Sequence, residues 1–178
     1  HYDPLMKAPT ASLTPNGTAP ELPPPAIDRI RNYAGQPPAF ETVLELEAFF
    51  REVYAPYGWL SDAQWRRLTE TSTRRLPDGR VTPHYDPAMA RQFTLHPDDY
   101  LLWRHYDAIE LPGACLRGED SHLVLPQAIG QMRRGAAAVR GLLQVVEVAG
   151  CGHAPALNVP AQVDTVADFV AASEKLRG

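Results

Sequence analysis

Residues 142–155 read Leu-Leu-Gln-Val-Val-Glu-Val-Ala-Gly-Cys-Gly-His-Ala-Pro. The near-continuous apolar run of residues 142–148 predicts a strand covered on both faces, as strands of parallel sheets are. The glycines of Gly150-Cys151-Gly152-His153 end that strand in a tight loop able to project the imidazole. Working backwards, Pro126 opens a helix carrying Ile129 and Met132, with Arg133 and Arg134 in its last turn and Gly135 closing it. Before that helix lies a shorter apolar run, Ala114-Cys115-Leu116, ending in Arg117-Gly118-Glu119-Asp120. Beyond the loop, a helix from about residue 160 carries Val163, Val166, Phe169, Val170 and Leu176 at helical spacing. The order strand, helix, strand, helix predicts an α/β fold, part of a doubly wound and mainly parallel sheet.

The chain ahead of these strands has a different character. Residues 26–106 predict several amphipathic helices and one hairpin. Ile27, Ile30 and Ala34 have helical spacing and stop at Gly35. Thr42 with Glu45, and Ser61 with Gln64, are capping-box pairs that start two more helices. Pro77-Asp78-Gly79 marks a turn between short extended pieces, and Pro97 opens a short helix running through Tyr100, Leu101 and Trp103. Residues 1–25 hold Pro4, Pro9, Pro15, Pro20 and Pro23-Pro24-Pro25, and predict an extended arm or linker without regular structure. The expected division is therefore 1–25 arm, 26–106 helical region and 107–178 sheet region.

Composition narrows the function. The 178 residues carry 17 Lys and Arg against 21 Asp and Glu, a net charge of −4, so no basic face for nucleic acid is expected. No apolar run is long enough to span a membrane, and residues 1–25 lack the apolar core of a secretion signal. Two cysteines are too few for a disulfide scaffold, and with the missing signal they point to the cytoplasm. His84, His96 and His105 share no metal-ligand spacing, so no metal is expected.

Chemistry concentrates in the two loops that follow the predicted parallel strands, where open α/β sheets place their sites. Adjacent strands would bring Asp120 and His153 to one edge, where the acid could hold the imidazole in one tautomer and stabilise its charged form. Trp59, Trp65 and Trp103, with Phe49, Phe50, Tyr54 and Tyr57, are expected to form the core of the helical region, and some of them, the tryptophans first, are candidates for lining an apolar substrate pocket. Cys115 and Cys151 are expected as small buried thiols, and His122 as an exposed or packing residue.

The motifs Leu116-Arg117-Gly118-Glu119-Asp120-Ser121 and Val148-Ala149-Gly150-Cys151-Gly152-His153-Ala154-Pro155 resemble the C-terminal half of an α/β-hydrolase. In that superfamily the acid follows a late strand, the histidine follows the last strand, and a closing helix comes next. Residues 26–106 look like its helical cap, and the resemblance covers residues 26–178. It implies an esterase-like hydrolase of small carboxylic esters, with Asp120 and His153 as triad acid and base, a small-molecule substrate and no cofactor.

The same comparison exposes a gap. The superfamily's nucleophile elbow, G-x-S-x-G or its Asp variant, is absent: none of Ser12, Ser61, Ser72, Ser121 and Ser173 has that context. Dehalogenases and epoxide hydrolases share the late motifs but use an Asp nucleophile, so the nucleophile's type stays open. A sheet with one edge open predicts a second polypeptide supplying the N-terminal core, or self-association. The alternative expectation is a catalytically incomplete hydrolase-like module that acts by binding or assembly.

Overall fold

Two six-residue strands, β3 (Gly113–Gly118) and β4 (Leu143–Val148), pair in parallel in the computed structural model, from Gly113 opposite Leu143 to Gly118 opposite Val148. The structure describes residues 12–153 and 155–175. Successive β3 side chains alternate between faces. Cys115 packs with Val124, Ile129 and Met132 on one face, and Ala114 and Leu116 pack with Phe169 on the other. The first partner layer is α6 (Pro126–Met132), followed by the single turn α7 (Ala136–Val139). The second is α8 (Pro160–Lys175). Helices on both faces of a parallel pair make this an α/β fold, partial in extent.

The proline-rich arm is not an unstructured linker. Residues 13–17 run parallel to β3 on the edge opposite β4, bridging Leu13 to Gly113 and Asn16 to Leu116. Leu13 N–H donates to Pro112 O at 2.9 Å, Ala114 N–H to Leu13 O at 2.9 Å, Leu116 N–H to Pro15 O at 2.9 Å and Gly17 N–H to Leu116 O at 3.0 Å. The rung that residue 15 would donate to Ala114 O is missing because proline has no N–H, which splits the ladder into two bridges. Proline is tolerated here because this is an edge. The expectation of an arm without regular structure is thereby corrected for residues 12–23; residues 1–11 lie outside the described residues.

With the arm on one side and β4 on the other, β3 is the central strand and is buried along five of its six residues. The strand expected to be covered on both faces, β4, is half-exposed along its length, because it forms the opposite edge. Arg117 sits inside, 6% exposed, with Nε on Val124 O at 2.8 Å and a terminal nitrogen on Glu147 at 2.6 Å, directly across the pair. In α8, Phe169 is buried while Val163 and Val170 are 49% and 40% exposed, so only part of its apolar stripe finds the sheet. Leu176 lies outside the described residues.

Between arm and sheet come α1 (Pro24–Ala34), α2 (Val43–Val53), α3 (Asp62–Thr71), the hairpin β1 (Thr73–Arg75) with β2 (Val81–Pro83), the turn α4 (Gln92–Leu95) and α5 (Trp103–Asp107). Both capping boxes form, Thr42 with Glu45 and Ser61 with Gln64. Leu46, Phe50, Trp65 and Val81 close a second core, each large side chain contributing roughly 1.5–3 kcal/mol by leaving water. Three expected helix bounds differ. Gly35 has φ −71°, so α1 ends without a left-handed residue. The segment after Pro97 divides into a 3₁₀ turn, Pro97–Tyr100, and α5, because Leu102 N–H turns to Pro20 O at 2.6 Å. Likewise Gly135 caps the start of α7.

The carboxyl end of β3 is packed backbone to backbone. A Cβ on Gly118 would overlap the carbonyl oxygen of Gly152 and lie 2.5 Å from that of Cys151. Gly79, at φ +93° in the hairpin turn, has nothing within 4 Å of such an atom. In urea denaturation, G118A should therefore cost about 3 kcal/mol and G79A only about 1 kcal/mol. Equal costs would contradict the packing described.

Candidate active site

The loops leaving β3 and β4 are tied to each other by their main chains. Glu119 N–H donates to Val148 O at 2.9 Å and Asp120 N–H to Cys151 O at 3.0 Å. Gly150 takes φ +68°, a left-handed value that suits glycine, and its N–H reaches a Glu119 carboxylate oxygen at 3.3 Å. The helical region presses on the same loop: Gly152 N–H donates to Pro56 O at 2.7 Å. Gly58, at φ +93°, leaves only 2.8 Å between an added Cβ and the Cys151 Cβ. Further on, Asn158 Nδ2 donates to Trp59 O at 2.7 Å and Gln64 Nε2 to Asn158 O at 3.1 Å. Three separate stretches of chain thus fix where His153 stands.

His153 lines a cavity of about 440 Å³ together with Arg29, Tyr33, Tyr54, Tyr57, Glu52 and His122. A column of rings leads to it from the helical core. Phe50 stacks on Tyr54 at 5.0 Å, Tyr54 on Tyr57 at 5.1 Å, and Tyr57 meets the imidazole at 6.5 Å. Burial pushes the Tyr54 and Tyr57 hydroxyls above the ordinary phenol range, so both stay protonated and able to donate.

Asp120 and His153 stand on adjoining loops, but their side chains are not joined. Asp120 is exposed, and no hydrogen bond or ion pair links its carboxylate to the imidazole among the described residues. His153 Nδ1 is buried with no partner, and so is Asn16 Oδ1, whose amide nitrogen donates to Pro155 O at 2.9 Å. Burial, then His122, then Arg29 hold His153 below its usual value, and no carboxylate offsets them. The Asp120 charge acts instead on Cys151, which burial, Asp120 and Glu119 all push up. Burial also pushes the Cys115 thiol up to about 11. Both free cysteines are therefore inert packing groups, as expected.

The tryptophans do not line this cavity. Trp65 is locked in the helical core beside Leu46 and Phe50, and Trp59 is 72% exposed. Trp103 packs on Tyr106 and donates its indole N–H to Glu21 at 2.7 Å. Of the aromatics expected as core or pocket residues, Trp65 takes the core, and Tyr54 and Tyr57 line the cavity. The motif search also missed Arg29 and His122, since neither has a spacing signal; His122, read as exposed or packing, shares the His153 cavity. Ser121 is buried, and its hydroxyl accepts from the N–H groups of Leu123 at 3.3 Å and Val124 at 3.0 Å, a turn-forming role.

A histidine whose proton affinity falls on folding makes stability depend on pH with a definite sign. The unfolded chain takes up protons from about pH 6.5 downward, where folded His153 takes one up less readily. Stability is therefore lost as pH falls below that value. In urea melts the wild type should lose more stability than H153Q between pH 7.5 and 5.5, and the His153 Cε1 proton should titrate below the ordinary histidine value. A His153 inflection at or above that value would contradict the burial described.

No family model matches the chain. It is 33% identical over 175 residues to a 3-hydroxybutyrate-oligomer hydrolase of Cupriavidus necator, matching 93% of this chain and 58% of that protein. Among solved structures it resembles a Rickettsia typhi protein provisionally assigned as a hydrolase, with TM-score 0.79 and 20% identity over 90% of this chain and 53% of that one. It also resembles an α/β hydrolase from Novosphingobium aromaticivorans, with TM-score 0.72 and 26% identity over 90% of this chain and 56% of that one. The chain spans 58% of the length of the curated relative it matches. Among the described residues no helix is long and apolar enough to cross a membrane. On this overlap, with its parallel strands and the loops at their carboxyl ends, the chain has the fold of the α/β hydrolases, of which it spans part.

Proposed function

We propose that the chain contributes the general base and part of the substrate cavity of an esterase-like hydrolase that cleaves small carboxylic esters of hydroxyacids. The observation that carries this reading is His153: on a loop that backbone hydrogen bonds tie to the loop after β3 and to Pro56, held below its usual proton affinity by burial, and lining a cavity of about 440 Å³. The likeness to a 3-hydroxybutyrate-oligomer hydrolase supports hydroxyacid esters as the substrate class.

His153 takes the proton from a nucleophilic hydroxyl as it attacks the ester carbonyl. It then gives that proton to the departing alkoxide and repeats the cycle with water. Asp120 is the carboxylate we assign to the His153 Nδ1–H, which requires its exposed side chain to turn inward when the enzyme is complete. The nucleophile comes from polypeptide outside these residues, a second chain or further sequence. In support, Ser61 caps α3, Ser121 caps a turn and Ser173 donates to Phe169 O at 2.8 Å. The missing elbow also favours a second reading, a hydrolase-like module that binds or assembles without catalysis.

Native mass spectrometry of the isolated protein, coupled to an assay of linear 3-hydroxybutyrate dimer cleavage, separates the two. The enzyme reading expects cleavage from the assembly that includes the nucleophile. There H153A should lower kcat about 10⁶-fold while changing KM much less. Unchanged turnover in H153A would overturn it. A second reading without catalysis expects no assembly that cleaves the dimer.

A further inference from the structure

Arg29 is the arginine among the residues that line the His153 cavity. Arg31, two residues on in the same helix, pairs with Asp28, away from that lining. Among the described residues, the Arg29 guanidinium has no hydrogen-bond or ion-pair partner. It projects from α1 into the wall of the His153 cavity, with Tyr33 one helical turn on along the same face. Its charge reaches the rings of both His122 and His153, lowering each. Glu52, the carboxylate on the cavity wall, makes no ion pair with Arg29 and offsets its charge at neither histidine.

A guanidinium offers five donors in a rigid fork that matches a carboxylate. An unpaired one beside the base of an ester hydrolase is a means of choosing substrate. We propose that Arg29 binds the free carboxylate of the substrate, so that the cavity takes short esters ending in a carboxylate, with the scissile carbonyl at His153. This rests on the reading of His153 as the base. In a β-hydroxyacid dimer only a few bonds separate the ester carbonyl from the terminal carboxylate, a span that suits two groups on one cavity wall. The bound anion also cancels the positive charge that disfavours imidazolium, so the substrate eases proton uptake by the base it is about to meet.

The test needs binding alone. The 178-residue chain is titrated with linear 3-hydroxybutyrate dimer and, separately, with its methyl ester, while the His153 and His122 imidazole resonances are followed. The acid should bind at least about tenfold tighter than the ester, the scale of a charge-assisted hydrogen bond. R29Q should abolish the preference and leave ester affinity unchanged, R29K should keep part of it, and E52Q should not reduce it. Because the side chain is exposed and unpaired, R29Q should melt as the wild type does. Equal affinity for acid and ester, or a preference that survives R29Q, overturns the assignment of Arg29 and leaves the proposed ester hydrolase intact. If neither ligand moves the His153 resonances, both readings fall.

Discussion

Three backbones meet at one point without side chains between them: Gly118 at the end of β3, Cys151–Gly152 after β4, and Pro56–Gly58 from the turn after α2. The rest of the molecule is arranged around that contact. The Gly152 N–H finds its acceptor where Pro56 O approaches to 2.7 Å, and a Cβ on Gly152 would stand 3.0 Å from the Pro56 Cβ, so that Pro56 would have to give way. Side chains at these positions would force the loops apart, since packed interiors have few voids into which an added atom can move. The contact couples the helical region to the sheet at the place where the chemistry-bearing residues stand.

Electrostatically the site is half of an arrangement. The imidazole is kept neutral by its surroundings, and its buried Nδ1 has no acceptor. An unsatisfied buried polar atom costs about 1–3 kcal/mol, so the loop holds His153 against a penalty that an acceptor would relieve. Asn16 Oδ1, likewise buried and unpartnered, marks the end of the arm strand as another place where polar capacity is unused. Both atoms lie at the carboxyl edge of the three-stranded array, where open α/β sheets place their sites.

What was legible in the sequence was what local chemistry determines. Thr42 with Glu45, and Ser61 with Gln64, satisfy the first turns of their own helices within three residues, and both formed. The apolar runs before Gly118 and Gly150 announced a parallel pair because glycine-rich loops and flanking helices framed them. The arm strand could not be read this way. Its pairing partner lies 100 positions away, from Leu13 to Gly113, and its prolines disguise an edge that tolerates them. Which of the expected aromatics line the cavity was hidden for a related reason: residue type says that an aromatic ring wants burial, but packing alone decides that Trp65 stays in the core while Tyr57 ends beside His153. Arg29 carried no local signal, since what distinguishes it from other exposed arginines is its place on the wall of the His153 cavity, which only the fold decides.

That long-range pairing gives the helical region an unusual freedom. The arm and β3 together close a loop of about a hundred residues, and the entropy of closing a loop grows only with the logarithm of its length. Doubling the insert would cost about 0.6 kcal/mol, less than one well-buried methyl-bearing side chain contributes. The sheet is therefore nearly indifferent to how much chain lies between its first two strands, provided a turn like Ala55–Tyr57 still reaches the loop after β4. The layer that shapes the cavity can lengthen, shorten or be exchanged while the strands keep their register, so new substrate preferences can arise without a new scaffold.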